Sequence, residues 1–294
     1  MARTDRFVDV DGLELHYSAW GDPDDPPVVC VHGLSRVGRD FDALASALEG
    51  EYHVVCPDMP GRGWSEWPED PSEYSTERMA QLLVGLCDEL GFEDLRWIGT
   101  SMGGGLGIAL AGGALSDRIS HLVVNDVGPD PANDAEREAI ERIVEYVGDP
   151  PVVDTVSGLE AYYREVYEGR FSAMTDEEWT AFTVTSARRT DDGGVTRAYD
   201  PRILKGLESS DDEDAEDEDD GDDPDGWALW EAIDAEVMVV HGRDSEVLPT
   251  PVLEEMLERR PDVESLEVDS GHAPMLNTAE QVEPIREFLG RGTR

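Results

Sequence analysis

Lysine is all but missing from this sequence. Of 294 residues, 23 are basic, and Lys205 is the one lysine among them; the rest are arginines, set against 68 aspartates and glutamates. A formal net charge of −45 leaves no basic face able to neutralise phosphates, which excludes nucleic acid as a partner. Cysteine is scarce too. Cys30, Cys56 and Cys87 are odd in number, two of them lie in apolar strand-like runs, and none has metal-ligand spacing. Buried reduced thiols in a cytoplasmic protein are expected, not a disulfide framework or a metal site. No stretch approaches the ~20 uninterrupted apolar residues of a membrane span. The opening Met1-Ala2-Arg3-Thr4-Asp5-Arg6 has no apolar signal-peptide core, so no membrane partner is expected.

What is present is length enough for one large α/β unit with a smaller insertion. The most informative stretch is Trp97-Ile98-Gly99-Thr100-Ser101-Met102-Gly103. Leu95 to Ile98 reads as the end of a buried strand, and Leu106 to Ala111 continues at helical spacing. A strand that becomes a helix across one serine makes a sharp elbow, which lifts the Ser101 hydroxyl above the sheet edge. Glycines two before and two after remove the Cβ atoms that would collide where strand and helix cross. Met102 then opens the helix, and its N–H, lacking an intrahelical partner, is free to face a developing oxyanion. A chain with 29 glycines can spell such a motif in an ordinary turn; the strand–turn–helix context argues for a nucleophile.

Around the elbow, strand and helix alternate. Arg6–Val10 and Leu13–Ala19 flank Asp11-Gly12, a two-residue hairpin signal. Val28–Val31, Tyr52–Cys56, Leu95–Ile98, Ile119–Val124, Val237–Val240 and Val263–Val268 read as strands, most of them continuous apolar runs of the buried parallel type. Helical spacing falls at Phe41–Leu48, Thr76–Leu90, Thr250–Arg259 and Thr278–Leu289, the last interrupted by Pro284. Parallel βαβ units wound on both faces of one sheet follow.

From Pro131 to Arg202 the rhythm changes. Ala135–Tyr146, Gly158–Tyr167 and Thr175–Thr185 read as helices with aromatic faces, an excursion suited to capping a site and excluding water. Tyr162, Tyr163, Tyr167, Phe171, Trp179 and Phe182 either line that pocket or pack the helices onto the core. Next comes a run with twelve acidic residues between Asp211 and Asp225 and no basic one. It reads as solvated and disordered, and it lacks the spacing of a calcium loop. The expected organisation is therefore a core of residues 1–130 and 227–294, a helical cap over 131–207 and an acidic loop over 208–226.

Four motifs now stand in order: His32-Gly33; Asp58-Met59-Pro60-Gly61-Arg62-Gly63-Trp64-Ser65; Gly99-Thr100-Ser101-Met102-Gly103; and Gly271-His272. Together, and across nearly the whole chain from Phe7 to Leu289, they resemble the α/β-hydrolase fold family. The resemblance implies a mostly parallel eight-stranded sheet flanked by helices, with an inserted helical cap. It also implies the chain order nucleophile, acid, histidine. The acidic composition, recurring on nearly every polar segment rather than in one patch, resembles that of proteins from extreme halophiles. At molar salt the Debye length falls to ~3 Å, which screens self-repulsion.

The implied chemistry is acyl transfer without a cofactor or metal. Ser101 would attack a carbonyl, His272 would take and return its proton, and a carboxylate would hold the imidazole in the right tautomer. The N–H groups of Leu34 and Met102 would form the oxyanion hole, and His32 would shape that loop. The acid is less directly legible. Many relatives carry an Asp where this chain has Ser245, and a sub-group reading Ser-Asp-(Leu/Val)-Leu places its acid one residue later, at Glu246. Asn125-Asp126-Val127-Gly128-Pro129 also resembles that sub-group. Glu246 is favoured, Asp244 is the rival and Asp126 the third candidate.

A serine nucleophile argues against haloalkane dehalogenase and epoxide hydrolase chemistry, which uses an Asp there. The expected substrate is a small-molecule carboxylic ester or lactone. The alternatives are carbon–carbon hydrolysis of a ring-cleavage product, cofactor-free perhydrolysis, and a non-catalytic ligand-binding member of the fold. No pattern in the sequence specifies an oligomeric state.

Overall fold

The computed structural model describes residues 3–129, 134–167, 174–208 and 225–292. The acidic run over 209–224 and Phe171 lie outside them. In chain order the strands are β1 (Thr4–Val10), β2 (Leu13–Trp20), β3 (Pro27–Val31), β4 (His53–Pro57), β5 (Leu95–Thr100), β6 (Ile119–Asn125), β7 (Ala187–Arg189), β8 (Val195–Arg197), β9 (Glu236–Gly242) and β10 (Glu264–Val268). The helices are α1 (Asp42–Leu48), α2 (Thr76–Glu89), α3 (Met102–Ala111), α4 (Asp134–Gly148), α5 (Val156–Tyr167), α6 (Asp176–Thr185), α7 (Lys205–Glu208), α8 (Gly226–Ala232), α9 (Thr250–Arg259) and α10 (Ala279–Leu289).

Eight strands form one sheet in the order β1-β2-β4-β3-β5-β6-β9-β10. The β1–β2 hairpin closes over Asp11 and Gly12, both at positive φ (53° and 83°), which matches the right-handed twist of its strands. β2 pairs antiparallel with β4, and every pairing from β4 to β10 is parallel. The inner strands are buried on both faces, which is why they read as unbroken Val/Ile/Leu runs. One face packs on α2, α3, α8 and α9 through Leu82, Leu86, Leu106, Leu110, Trp230 and Met256. The other packs on α1 and α10 through Leu44, Leu48, Val282, Ile285 and Phe288. Pro284 sits inside α10 without ending it.

After β3 the chain moves outward to β4, then crosses back to β5 on the other side of β3. Strand order therefore reverses between β3 and β5, and the loops leaving their C-terminal ends part there to open a crevice. Both the His32 loop and Ser101 leave the sheet at that point.

The excursion after β6 holds the three expected helices, α4 to α6. It also holds a two-stranded antiparallel sheet, β7–β8, which the helical reading of this segment does not anticipate. Tyr163, Tyr167, Trp179 and Phe182 form a buried cluster with Leu159 and Val195, so most of the aromatic residues of this segment pack it together. Cys30, Cys56 and Cys87 are buried and unbridged. Among the described residues no helix is long and apolar enough to cross a membrane.

Candidate active site

Ser101 caps α3 with φ 53° and ψ −115°, a conformation that a non-glycine residue adopts only when its surroundings dictate it. Those surroundings are specific. The Ser101 N–H donates to the Asn125 carbonyl at 2.9 Å, and its own carbonyl accepts from Gly104 and Gly105 at 2.8 and 3.0 Å. A Cβ on Gly99 would stand 2.0 Å from the Gly103 carbonyl oxygen, and one on Gly103 would stand 2.0 Å from that of Val31. Helix and strand thus cross too closely for any side chain at either position.

His272 reaches the elbow from the loop after β10, and its Nε2 lies 3.0 Å from Ser101 Oγ. On the far side of the ring, Nδ1 lies 2.9 Å from Asp126 Oδ2. A carboxylate there accepts from Nδ1–H, so Nε2 carries the lone pair that faces the serine hydroxyl. Asp126 directly follows β6 at φ 63° and its side chain is 0% exposed. Its N–H donates to the Val240 carbonyl at 2.9 Å, and its Oδ1 accepts from the Gly242 N–H at 2.8 Å. The carboxylate is thereby fixed to the end of β9, with one oxygen left for the imidazole.

The structure sets Asp126, the third candidate, and neither Glu246 nor Asp244 against the imidazole. Glu246 is 68% exposed and pairs with Arg142 of α4 at 3.0 Å, at the rim of the cavity and not against the imidazole. Asp244 stands at the same rim, its N–H bound to the Ser270 carbonyl at 3.0 Å. Asp126 sits in the left-handed region that Asp tolerates better than most residues, and its Oδ2 faces His272. The local signal was an aspartate ending a buried apolar strand just before Val-Gly-Pro.

The remaining groups hold the loops together. Asn125 Nδ2 donates to Thr100 Oγ1 and to the Pro274 carbonyl, both at 2.9 Å, tying the His272 loop to the elbow. The His32 ring lies between the Met59 N–H, 3.0 Å from its Nε2, and the Gly33 carbonyl, 2.7 Å from its Nδ1. Burial lowers its pKa to about 4, although Asp58 and the Gly33 carbonyl pull the other way. It is a neutral Nδ1–H tautomer bracing the loop that carries Leu34. Arg62, fully buried, donates to the Leu34 and Pro60 carbonyls at 2.9 and 2.7 Å, with Nη2 3.9 Å from Met102 Sδ. One guanidinium thus spans both residues expected to supply the oxyanion hole. The sequence alone gives Arg62 no such role, because arginine is ordinarily a surface residue.

Above His272 lies a cavity of about 230 Å³ walled by Tyr146, Tyr167, Ile143 and Val247, with Asp244, Glu246 and Arg142 at its polar rim. Helices α4 and α5 thus contribute to the same cavity as the histidine. Among the described residues no cluster of side chains is suited to hold a metal ion.

The sequence matches the alpha/beta hydrolase family over residues 28–285. The chain belongs to that family. This hydrolase is 38% identical over 280 residues to a 3-hydroxybutyrate-oligomer hydrolase of Cupriavidus necator, which covers 94% of this chain and 92% of that protein. It superposes on an alpha/beta hydrolase of Novosphingobium aromaticivorans with a TM-score of 0.85 at 33% identity, covering 99% of this chain and 100% of that one. An esterase of Mycobacterium tuberculosis, 21% identical over 99% of this chain and 93% of its own, shares the fold at a TM-score of 0.72. Hydrolase chemistry is what these relatives have in common.

Proposed function

We propose that this enzyme hydrolyses short carboxylic esters through an acyl-enzyme, and that its substrates are small oligoesters of hydroxy acids. The observation that carries this reading is the chain of hydrogen bonds from Ser101 Oγ through His272 to Asp126, at 3.0 and 2.9 Å. Ser101 attacks the ester carbonyl as His272 Nε2 takes its proton, and the buried Asp126 carboxylate stabilises the imidazolium that forms. The N–H groups of Leu34 and Met102 receive the oxyanion, a contribution worth about 10²–10³ in turnover per donor. Collapse returns the proton to the leaving alkoxide. Water, activated by the same histidine, then releases the acid, so ester plus water gives acid plus alcohol. Residues 131–207 act as a cap over the cavity, keeping bulk water from the acyl-enzyme.

The oligoester assignment draws support from the Cupriavidus necator relative and from the small, polar-rimmed cavity. It is tested with a panel of hydroxy-acid dimers and trimers, simple alkyl esters, lactones and vinylogous diketones in molar KCl. Oligoesters are expected to have the highest kcat/KM. Faster cleavage of the diketones would replace this reading with carbon–carbon hydrolysis.

The acidic composition is read as an adaptation to concentrated salt. Far-ultraviolet circular dichroism is expected to show a folded chain above about 1 M KCl and substantial unfolding below about 0.1 M, where charges repel over ~10 Å. An unchanged spectrum in salt-free buffer removes this reading.

A further inference from the structure

Many arginines of this protein stand beside carboxylates, as the excess of 68 acidic over 23 basic residues makes easy. Arg78 touches both Glu73 and Asp11, Arg164 both Glu160 and Asp176, and Arg259 both Glu231 and Glu255. Buried Arg36 is matched as well, with Asp40 bound in a bidentate pair at 2.7 Å. Among the described residues, buried Arg62 has no carboxylate partner but donates to the Leu34 and Pro60 carbonyls at 2.9 and 2.7 Å, whereas Arg197 has neither a carboxylate nor a carbonyl. It ends β8 and is 2% exposed, yet among the described residues it forms no ion pair. Its hydrogen bonds are to two phenols, Tyr162 at 3.0 Å and Tyr199 at 3.3 Å, and its Nε is buried without a partner.

Five tyrosine rings surround this guanidinium. Tyr146, Tyr162, Tyr163, Tyr167 and Tyr199 have centroids 5.0–5.9 Å from its Cζ. Their π faces offset part of the desolvation of the charge but do not neutralise it. Burying a cation with no carboxylate beside it among the described residues is expensive. Two of the five rings, Tyr146 and Tyr167, also form the wall of the cavity above His272. The uncompensated charge therefore sits one ring behind that wall. The carboxylates of Asp244 and Glu246 line the same cavity, and Glu246 is already held by Arg142.

We propose that Arg197, with the tyrosines around it, forms an anion subsite that draws the free carboxylate of the substrate to the Tyr146–Tyr167 wall while the ester lies at Ser101 and His272. An acid-ended oligoester would thus be cut near its carboxyl terminus, and a neutral ester would lack the anchor. The attraction persists at high salt, since mobile ions screen a buried pair far less than a surface one.

This inference rests on the ester-hydrolase reading, and the experiment separates the two. The probes are a hydroxybutyrate dimer as its free acid and the same dimer as its methyl ester, assayed in molar KCl with wild type, Arg197→Gln, Arg197→Lys and Ser101→Ala. The methyl ester tests the parent reading without involving Arg197: wild type must cleave it and Ser101→Ala must not. If wild type cleaves neither dimer, both readings fall. Given cleavage, wild type should favour the free acid in kcat/KM by about 10–10²-fold, as expected for a unit charge pair across several ångströms of protein. Arg197→Gln should erase that preference mainly through KM while changing methyl-ester turnover less than about threefold; Arg197→Lys, which keeps the charge, should restore part of it. Equal loss on both dimers would assign Arg197 to holding the cap together and overturn the proposal. So would a wild-type enzyme indifferent to the free carboxylate, a result that does not depend on any variant folding.

Discussion

Ser101→Ala will lower ester turnover by about 10⁶-fold, leaving only what binding and the oxyanion donors sustain without a nucleophile. The substitution isolates chemistry from folding. Ser101 makes no side-chain cap bond to α3, and its hydroxyl faces His272 at 3.0 Å. The elbow is set instead by the backbone bonds from Ser101 to Asn125, Gly104 and Gly105 and by the glycine contacts, all of which alanine keeps. Circular dichroism and thermal midpoint should therefore match wild type while the acyl-enzyme burst with an activated ester disappears. A variant that kept turnover within tenfold of wild type would end the acyl-enzyme mechanism and with it the role of the elbow.

Asp126→Asn should cost about 10⁴-fold in kcat, whereas Glu246→Gln and Asp244→Asn should stay within about threefold of wild type. The asymmetry follows from hydrogen-bond chemistry. An asparagine at position 126 can still offer its oxygen to the Gly242 N–H, which donates to Oδ1 at 2.8 Å, so the turn is preserved. That orientation presents an NH₂ group to His272 Nδ1. Donor against donor is unfavourable, so the imidazole moves its proton to Nε2 and loses the lone pair that should receive the serine proton. Glu246 has no such leverage, being mostly exposed and paired with Arg142 at 3.0 Å. If Glu246→Gln proved the crippled variant, the loop after β9 would have to swing inward on substrate binding and Asp126 would be relegated to bracing β9.

The parts legible from sequence are those governed by local chemistry. The hairpin at Asp11-Gly12 follows from backbone angles, the inner strands from unbroken apolar runs, and the geometry at Ser101 from glycines two residues to either side. His272 stands out because a Gly-His pair follows the final strand. The acid partner was not readable in the same way. Asp126 and His272 are 146 positions apart, and the one local signal, an aspartate after a buried apolar strand, does not by itself select their contact over those available to Asp244 or Glu246. In a chain this rich in carboxylates, nearly every loop offers a candidate. Burial, which favours Asp126, belongs to the folded chain. The β7–β8 hairpin is hidden for a different reason: its short strands, half of them Arg, have little apolar alternation, although Asp191-Asp192-Gly193-Gly194 between them is a plain turn signal. Arg62 and Arg197 were hidden by their residue type.

Asp126 is anchored by its own N–H to Val240 and by Oδ1 to Gly242, so the proposed acid belongs to the middle of the sheet and not to the segment spanning 243–249. That segment is left with no proton to manage. Variation at its cavity-lining positions, Asp244, Glu246 and Val247, can recharge or reshape the entrance while leaving the proposed acid in place. Substrate range in this enzyme can therefore drift with less effect on rate, and libraries at those three positions are the natural place to redirect it.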